Sequence, residues 1–246
     1  MTPTFDECKM AAGRDYKINS YITIRQPIVG EVIDLGEKEY FSMVTALSSI
    51  PSDLKVQLWD KGIDWEEISD FELFAILSRS ITKEQSRLLF RDLDFSEFDL
   101  SVNKQNNELV LRSDSGKIID KLAYMKIAEY IRWVHGIKPK VERAYNKAAR
   151  MAILERDRSI LAAKRRKIEE EGERSTLWPM ISLIVNSPGG KYDYETVQRL
   201  NIVAFMDSAK RIQAITHADN LTLGLYMGNI DATKIDKKQL DPMRDL

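Results

Sequence analysis

The residues with the strongest claim to chemistry are Pro188-Gly189-Gly190-Lys191, set between an apolar run and a helix-like pattern. A glycine-rich loop closed by lysine can cradle phosphates on its backbone N–H groups, with a following hydroxyl on magnesium. That chemistry needs glycine five positions before Gly190 and serine or threonine after Lys191; the chain has Val185 and Tyr192 there. No strand–helix alternation surrounds the loop to build a nucleotide-binding sheet. The stretch therefore reads as a turn that delivers Asp193 as a helix cap. Asp92 and Asp94 match the first two ligands of a calcium loop, but Glu97 stands where glycine is required and Asn103 where the closing glutamate belongs. That cluster reads as a solvated acidic turn, or as half of a charge-paired interface. His135 and His217 lack neighbours at ligand spacing. His135 falls near a predicted helix C-terminus, where a cation is mildly favoured. The single Cys8 excludes an intramolecular disulfide and a cysteine zinc site, has no matched histidine, and fits a reducing cytoplasm. No Gly-x-Ser-x-Gly elbow appears. No catalytic residue, cofactor or metal is expected, and the chain reads as a non-enzymatic protein.

One further cluster is basic, Lys164-Arg165-Arg166-Lys167. It could touch phosphates. Glu169, Glu170 and Glu171 follow within a turn and repel nucleic acid, and no aromatic residue interleaves the run for base stacking. Nucleic acid is a disfavoured partner.

The elements that would carry these residues are mostly helical. A hairpin comes first: Tyr16/Ile18 and Tyr21/Thr23 alternate with Ile22/Ile24 about Asn19-Ser20, and Pro27 stops it. Helices follow, with Tyr40, Val44 and Leu47 on one face and Phe41 beside them, then Leu54, Leu58 and Trp59 closed by Gly62. Capping boxes Ser69/Glu72 and Thr82/Gln85 open two more. A second hairpin is expected near 100–112, where Leu100, Val102, Leu109 and Leu111 alternate around an Asn106-Asn107 turn. The next helix turns Ile119, Leu122, Ile127 and Tyr130 inward and ends at Gly136. Residues 139–171 lack glycine and proline after Pro139 and predict one long charged helix, roughly 45–50 Å at 1.5 Å per residue. Leu154, Leu161 and Ile168 repeat along it, but Arg158 and Arg165 take the alternate seam positions, too poor for a coiled coil. Such an arm touches a neighbour along one edge. Asp193 and Asn201 cap the last helices. Phe205, Met206, Ala209, Ile212 and Ile215 share a broad face, a shorter piece follows from Ala218, and fraying is expected beyond Leu240. The fold class is α+β, predominantly α-helical. The expected units are an N-terminal α+β domain over 1–137, a charged arm over 138–174 and a C-terminal helical region over 175–246.

Apolar residues make up 43% and charged residues 30% of 246, which supports a real core. The N-terminal stretch lacks the apolar core of a signal peptide, and no apolar run is long enough to cross a membrane, so a soluble intracellular protein is expected. Residues 1–100 are acidic and Lys138–Arg174 basic; such patches mean contact with a partner or with copies of itself, or merely solvated faces. Trp59, Trp65, Phe71 and Phe74 fit core spacing, while Trp65 and Trp133 could also anchor an interface.

At Ile22, Thr23, Ile24, Arg25, Pro27, Val29, Gly30 and Glu31 the chain resembles the start of bacteriophage tail assembly chaperones. The stretches "FELFAILS", "NNELVLRSDSGKIIDK", "WPMISLIVNSPGGKYDYETV", "FMDSAKRIQAI" and "GLYMGNIDATKI" resemble proteins of phages and prophages of Gram-positive hosts. The resemblance implies a tail morphogenesis factor that binds the tape-measure protein, keeps its helices soluble and recruits tail-tube subunits. It implies action in the cytoplasm of the bacterial host, or residence in the virion. Helix-in-groove binding is the expected mode. Leu154, Leu161, Lys164, Arg165, Arg166, Lys167, Phe205, Met206 and Ile212 are the candidate partner-binding or self-associating residues. The alternatives are a structural subunit of a tail or related contractile particle, and a nucleic-acid-binding or regulatory phage protein.

Overall fold

The computed structural model describes residues 5–104 and 107–244. Asp6 caps a first short helix, Glu7–Ala11 (α1), and the chain then pairs Tyr16–Lys17 (β1) antiparallel with Thr23–Ile24 (β2). Asn19 makes that turn: its Oδ1 accepts from the N–H groups of Tyr21 (3.1 Å) and Ile22 (2.7 Å). Val29–Leu35 (α2), Glu37–Ser48 (α3) and Lys55–Asp60 (α4) follow. Gly62 stops α4 at φ 75°, with its N–H on Trp59 O and that of Ile63 on Leu58 O. Asp70–Ser78 (α5) and Lys83–Phe90 (α6) both open on the expected reciprocal boxes.

Phe98–Val102 (β3) and Leu109–Ser113 (β4) form the second hairpin, and Ile118–Ile119 (β5) adds a third strand. That strand is too short for alternation to reveal it. Of the predicted turn, Asn106 lies outside the described residues, while Asn107 takes φ 56°. Lys121–His135 (α7) runs from an Asp120 cap to Gly136, at φ 65°. It buries Ala123, Ile127, Tyr130, Ile131 and Val134, but Leu122 faces outward, one residue off the buried stripe. Lys147–Glu171 (α8), Leu177–Asn186 (α9) and Ile202–Tyr226 (α10) complete the helices.

Three expectations are corrected. The arm's helix begins at Lys147, not near 139, because Asn146 caps it and residues 139–146 spend their backbone groups on other contacts. The last helix is continuous from Ile202 to Tyr226; Gly224 sits inside it, where a Cβ would meet Ile230. The tail is held past Leu240, since Arg211 Nη1 donates to the carbonyls of Pro242 (2.7 Å) and Arg244 (3.0 Å).

One core joins the two ends of the chain. Ile22, Ile24, Tyr40, Leu47, Phe74, Phe95, Ile127 and Tyr130 share it with Leu177, Ile184, Val197 and Phe205. The boundary expected between 1–137 and 175–246 is therefore not a boundary of packing. The stitch is the stretch that carried the family resemblance. Arg25 pairs with Glu31 at 2.6 Å, and Glu31 also accepts from the Ile28 N–H at the head of α2. Val29 N–H donates to Leu200 O (2.9 Å), and Ile202 N–H to Pro27 O (2.8 Å). Gly30 brings α2 against the Gln198 backbone.

Candidate interaction surface

The acidic and basic segments meet inside the chain. Residues 139–157 lie on the 52–66 region, and the second, smaller core gathers Val56, Leu58, Trp65 and Leu73 around Leu154 of α8. Lys55 is buried, and its ammonium is saturated by Ser52 O (2.8 Å), Glu142 (2.8 Å) and Asp157 (3.0 Å). Burial pushes Lys55 down, yet the two carboxylates outweigh it and hold its pKa above the ordinary value. Arg156 binds Glu142 through both nitrogens, and with Lys55 it holds that carboxyl down at about 2. Arg150 pairs with Asp64 (2.5 Å) and with Glu66, and its guanidinium lies 5.4 Å from the Trp65 ring centre and 5.9 Å from that of Trp59. Trp65 Nε1 donates to Glu142 O at 3.2 Å, so this indole anchors the arm rather than a partner. Arg158 pairs with Asp60. The arm's neighbour along its edge is thus the chain's own acidic half.

That docking reassigns several candidate residues. Leu154, Phe205 and Met206 are buried in the chain's own cores, and their apolar groups are already occupied. Leu161 and Ile212 are half-buried against the same cores. Lys164, Arg165, Arg166 and Lys167 are exposed, because α8 passes beyond α4 after Leu161. Arg166 meets Glu170 at 3.8 Å along the helix, as the acidic follow-on predicts. The structure does not bring the basic run together with Phe205, Met206 and Ile212 on one surface; the former lies on α8, the latter on α10.

The chemical candidates resolve into structural roles. Gly189 has φ 74° and Gly190 N–H returns to Ser187 O, a turn; Asp193 Oδ1 then accepts from Glu195 (3.0 Å) and Thr196 (2.7 Å) at a 3-10 turn. Asp94 takes the N–H and hydroxyl of Ser96 and pairs with Lys83 at 3.4 Å. Among the described residues no group of His, Cys, Asp and Glu could hold a metal ion. His135 Nδ1 faces Ile131 O (2.8 Å) and Nε2 faces Tyr40 Oη (3.0 Å). A carbonyl accepts only, so Nδ1 carries the proton and the Tyr40 hydroxyl donates to Nε2. Burial pushes His135 down to about 4, which overrides the attraction of the helix end for a cation. Glu37 is a contact sequence reading missed: its carboxylate accepts from Ser175 Oγ (2.6 Å), Leu177 N–H (3.0 Å) and Thr176 N–H at the head of α9. It lies about 140 residues away in the chain, so local capping patterns cannot reveal it.

One surface open to a partner is the far half of α10. Ile202, Val203, Phe205, Met206 and Ala209 anchor its first half in the core. From Ile215 onward the helix packs on the returning tail and leaves Ile215, Leu223, Tyr226 and Met227 exposed, Tyr226 at 86% and Met227 at 66%. Large apolar side chains left exposed together on a helix mark contact surfaces. Among the described residues no helix is long and apolar enough to cross a membrane. Comparison with protein-family models, with curated proteins and with solved structures finds no match.

Proposed function

We propose that the protein is a non-enzymatic tail morphogenesis factor of a bacteriophage, which binds the long helical tape-measure protein and tail-tube subunits in the host cytoplasm. The observation that supports this reading is the apolar exposure of Leu223 and Tyr226 in the far half of α10 and of Met227 just after it. An amphipathic helix of a partner can lie along such a surface, and methionine and tyrosine adapt to varied apolar faces. Leu154, Phe205 and Met206, named from sequence, give way to these residues because their side chains fill the chain's own cores. The test is co-expression with the long helical protein encoded beside it. Soluble yield of that protein should rise with the wild-type chain and fall back when Leu223 and Tyr226 are both changed to serine. Equal yield with and without the chain refutes the reading.

A further inference from the structure

Beyond that reading, β3 carries a second interaction surface. It is one of the two outer strands of the β3-β4-β5 sheet. The Asn103 N–H donates to Glu108 O at 2.8 Å, and the pairing runs Val102 with Leu109 through Phe98 with Ser113. Hydrogen-bonded and non-hydrogen-bonded pairs alternate in an antiparallel ladder, so Asp99 and Ser101 turn their backbone groups to β4 and Leu100 and Val102 turn theirs outward. Both outward residues are also exposed in their side chains, at 43% and 49%. Natural edge strands are blunted by proline, lysine, bulges or a covering element. Phe98–Val102 has no proline or lysine and pairs without a bulge.

We infer that this edge pairs with the same edge of a second copy, antiparallel and centred on Leu100. The strand is complementary to itself in that register. Leu100 meets Leu100 of the second copy, and Val102 meets Phe98 of the second copy. The Leu100 and Val102 N–H groups donate to the carbonyls of Leu100 and Phe98 across the axis, while the Phe98 N–H stays on Phe95 O. Asp99 falls opposite Ser101, so no like charges oppose each other. This position also answers an orphan: Ser101 Oγ is buried and has no hydrogen-bond partner among the described residues. The register puts the Asp99 carboxylate of the second copy across from residue 101, where it can accept from the hydroxyl once that hydroxyl rotates out of its buried position. Centring on Asp99 instead would set two carboxylates face to face, and centring on Ser101 would leave the hydroxyl facing only its own copy.

The test uses charge at the axis. Wild-type chain should show a concentration-dependent monomer–dimer equilibrium by sedimentation velocity. Leu100→Lys should be monomeric at every concentration with unchanged circular dichroism, since residue 100 is half-exposed. Mixing Leu100→Lys with Leu100→Glu should restore a one-to-one dimer. In a Cys8→Ser background, Leu100→Cys should form a disulfide-linked dimer on mild oxidation and Arg112→Cys should not. A wild-type chain that stays monomeric into the millimolar range overturns the inference. So does a dimer that Leu100→Lys leaves intact, or a Lys/Glu mixture that stays monomeric.

Discussion

The ion-pair cluster that docks the arm makes an asymmetric prediction around Lys55. Its ammonium has three partners, Ser52 O, Glu142 and Asp157, and its side chain is 8% exposed. Removing both carboxylate charges with Glu142→Gln and Asp157→Asn leaves a buried cation with neutral acceptors only and no countercharge of its own. Stranding a buried charge costs about 3–5 kcal/mol. Replacing the cation with an apolar chain of similar length, Lys55→Met, leaves Glu142 and Asp157 with Arg156, which pairs with both at 2.8 Å. That change should fall within about 1 kcal/mol of wild type, because the desolvation cost of the ammonium disappears with its bonds. Urea unfolding followed by tryptophan fluorescence and circular dichroism measures both. The same cluster sets an acid limit. Glu142 drops from 4.5 to about 2 on folding. Its contribution is therefore complete above about 4.5 and is lost as pH falls toward about 2. The Glu142→Gln protein should lack that part of the acid transition. If Lys55→Met costs as much as the double carboxylate change, the cluster is not governed by stranded charge and the reasoning fails.

Three other outcomes follow from single contacts. Leu154→Ala should cost about 2–4 kcal/mol by urea unfolding, because it empties the centre of the smaller core, whereas Ile160→Ala on the exposed side of the same helix should change stability by less than about 0.5 kcal/mol. Glu37→Ala should speed amide exchange at Thr176 and Leu177, its two backbone donors, and weaken the fold by about 1 kcal/mol. His135 is held neutral, its pKa lowered by burial from 6.5 to about 4, so the folded state binds fewer protons than the unfolded chain between those values. Stability should be full above about 6.5 and decline as pH falls toward about 4, and His135→Gln should remove that dependence from the thermal midpoint.

Local rules were legible in the sequence wherever they act over a few residues. Ser69/Glu72, Thr82/Gln85 and Asn201 cap as their types and spacing dictate, Asp193 instead closes a turn ahead of a short 3-10 segment, and Gly62 and Gly136 stop helices in the left-handed conformation. Periodicity also placed Tyr40, Val44, Leu47, Ile127 and Tyr130 inside. It failed where a side chain's surroundings depend on distant chain. Leu122 satisfies a helical stripe but stays exposed, and Phe205 and Met206 read as a free face only until α7 and α9 are packed on α10.

The arm shows the same limit at the level of charge. An acidic half and a basic segment in one chain have the same composition whether they pair with a partner, with another copy or with each other. Here the distinction rests on Glu142, a residue in the irregular stretch before α8. Its carboxylate clamps Lys55 and Arg156, its carbonyl takes the Trp65 N–H, and its own N–H goes to Ser52 Oγ. Part of the first half of the arm is thereby tied to the chain's own 52–66 region, and beyond Leu161 the basic run is exposed. The apolar seam of the arm is thus occupied, whereas the far half of α10 and the edge of β3 expose apolar side chains and, on β3, outward backbone groups. These two surfaces lie on different elements and separate by mutation, since Leu223→Ser with Tyr226→Ser should cost helical-partner binding but leave self-association intact, and Leu100→Lys should do the reverse.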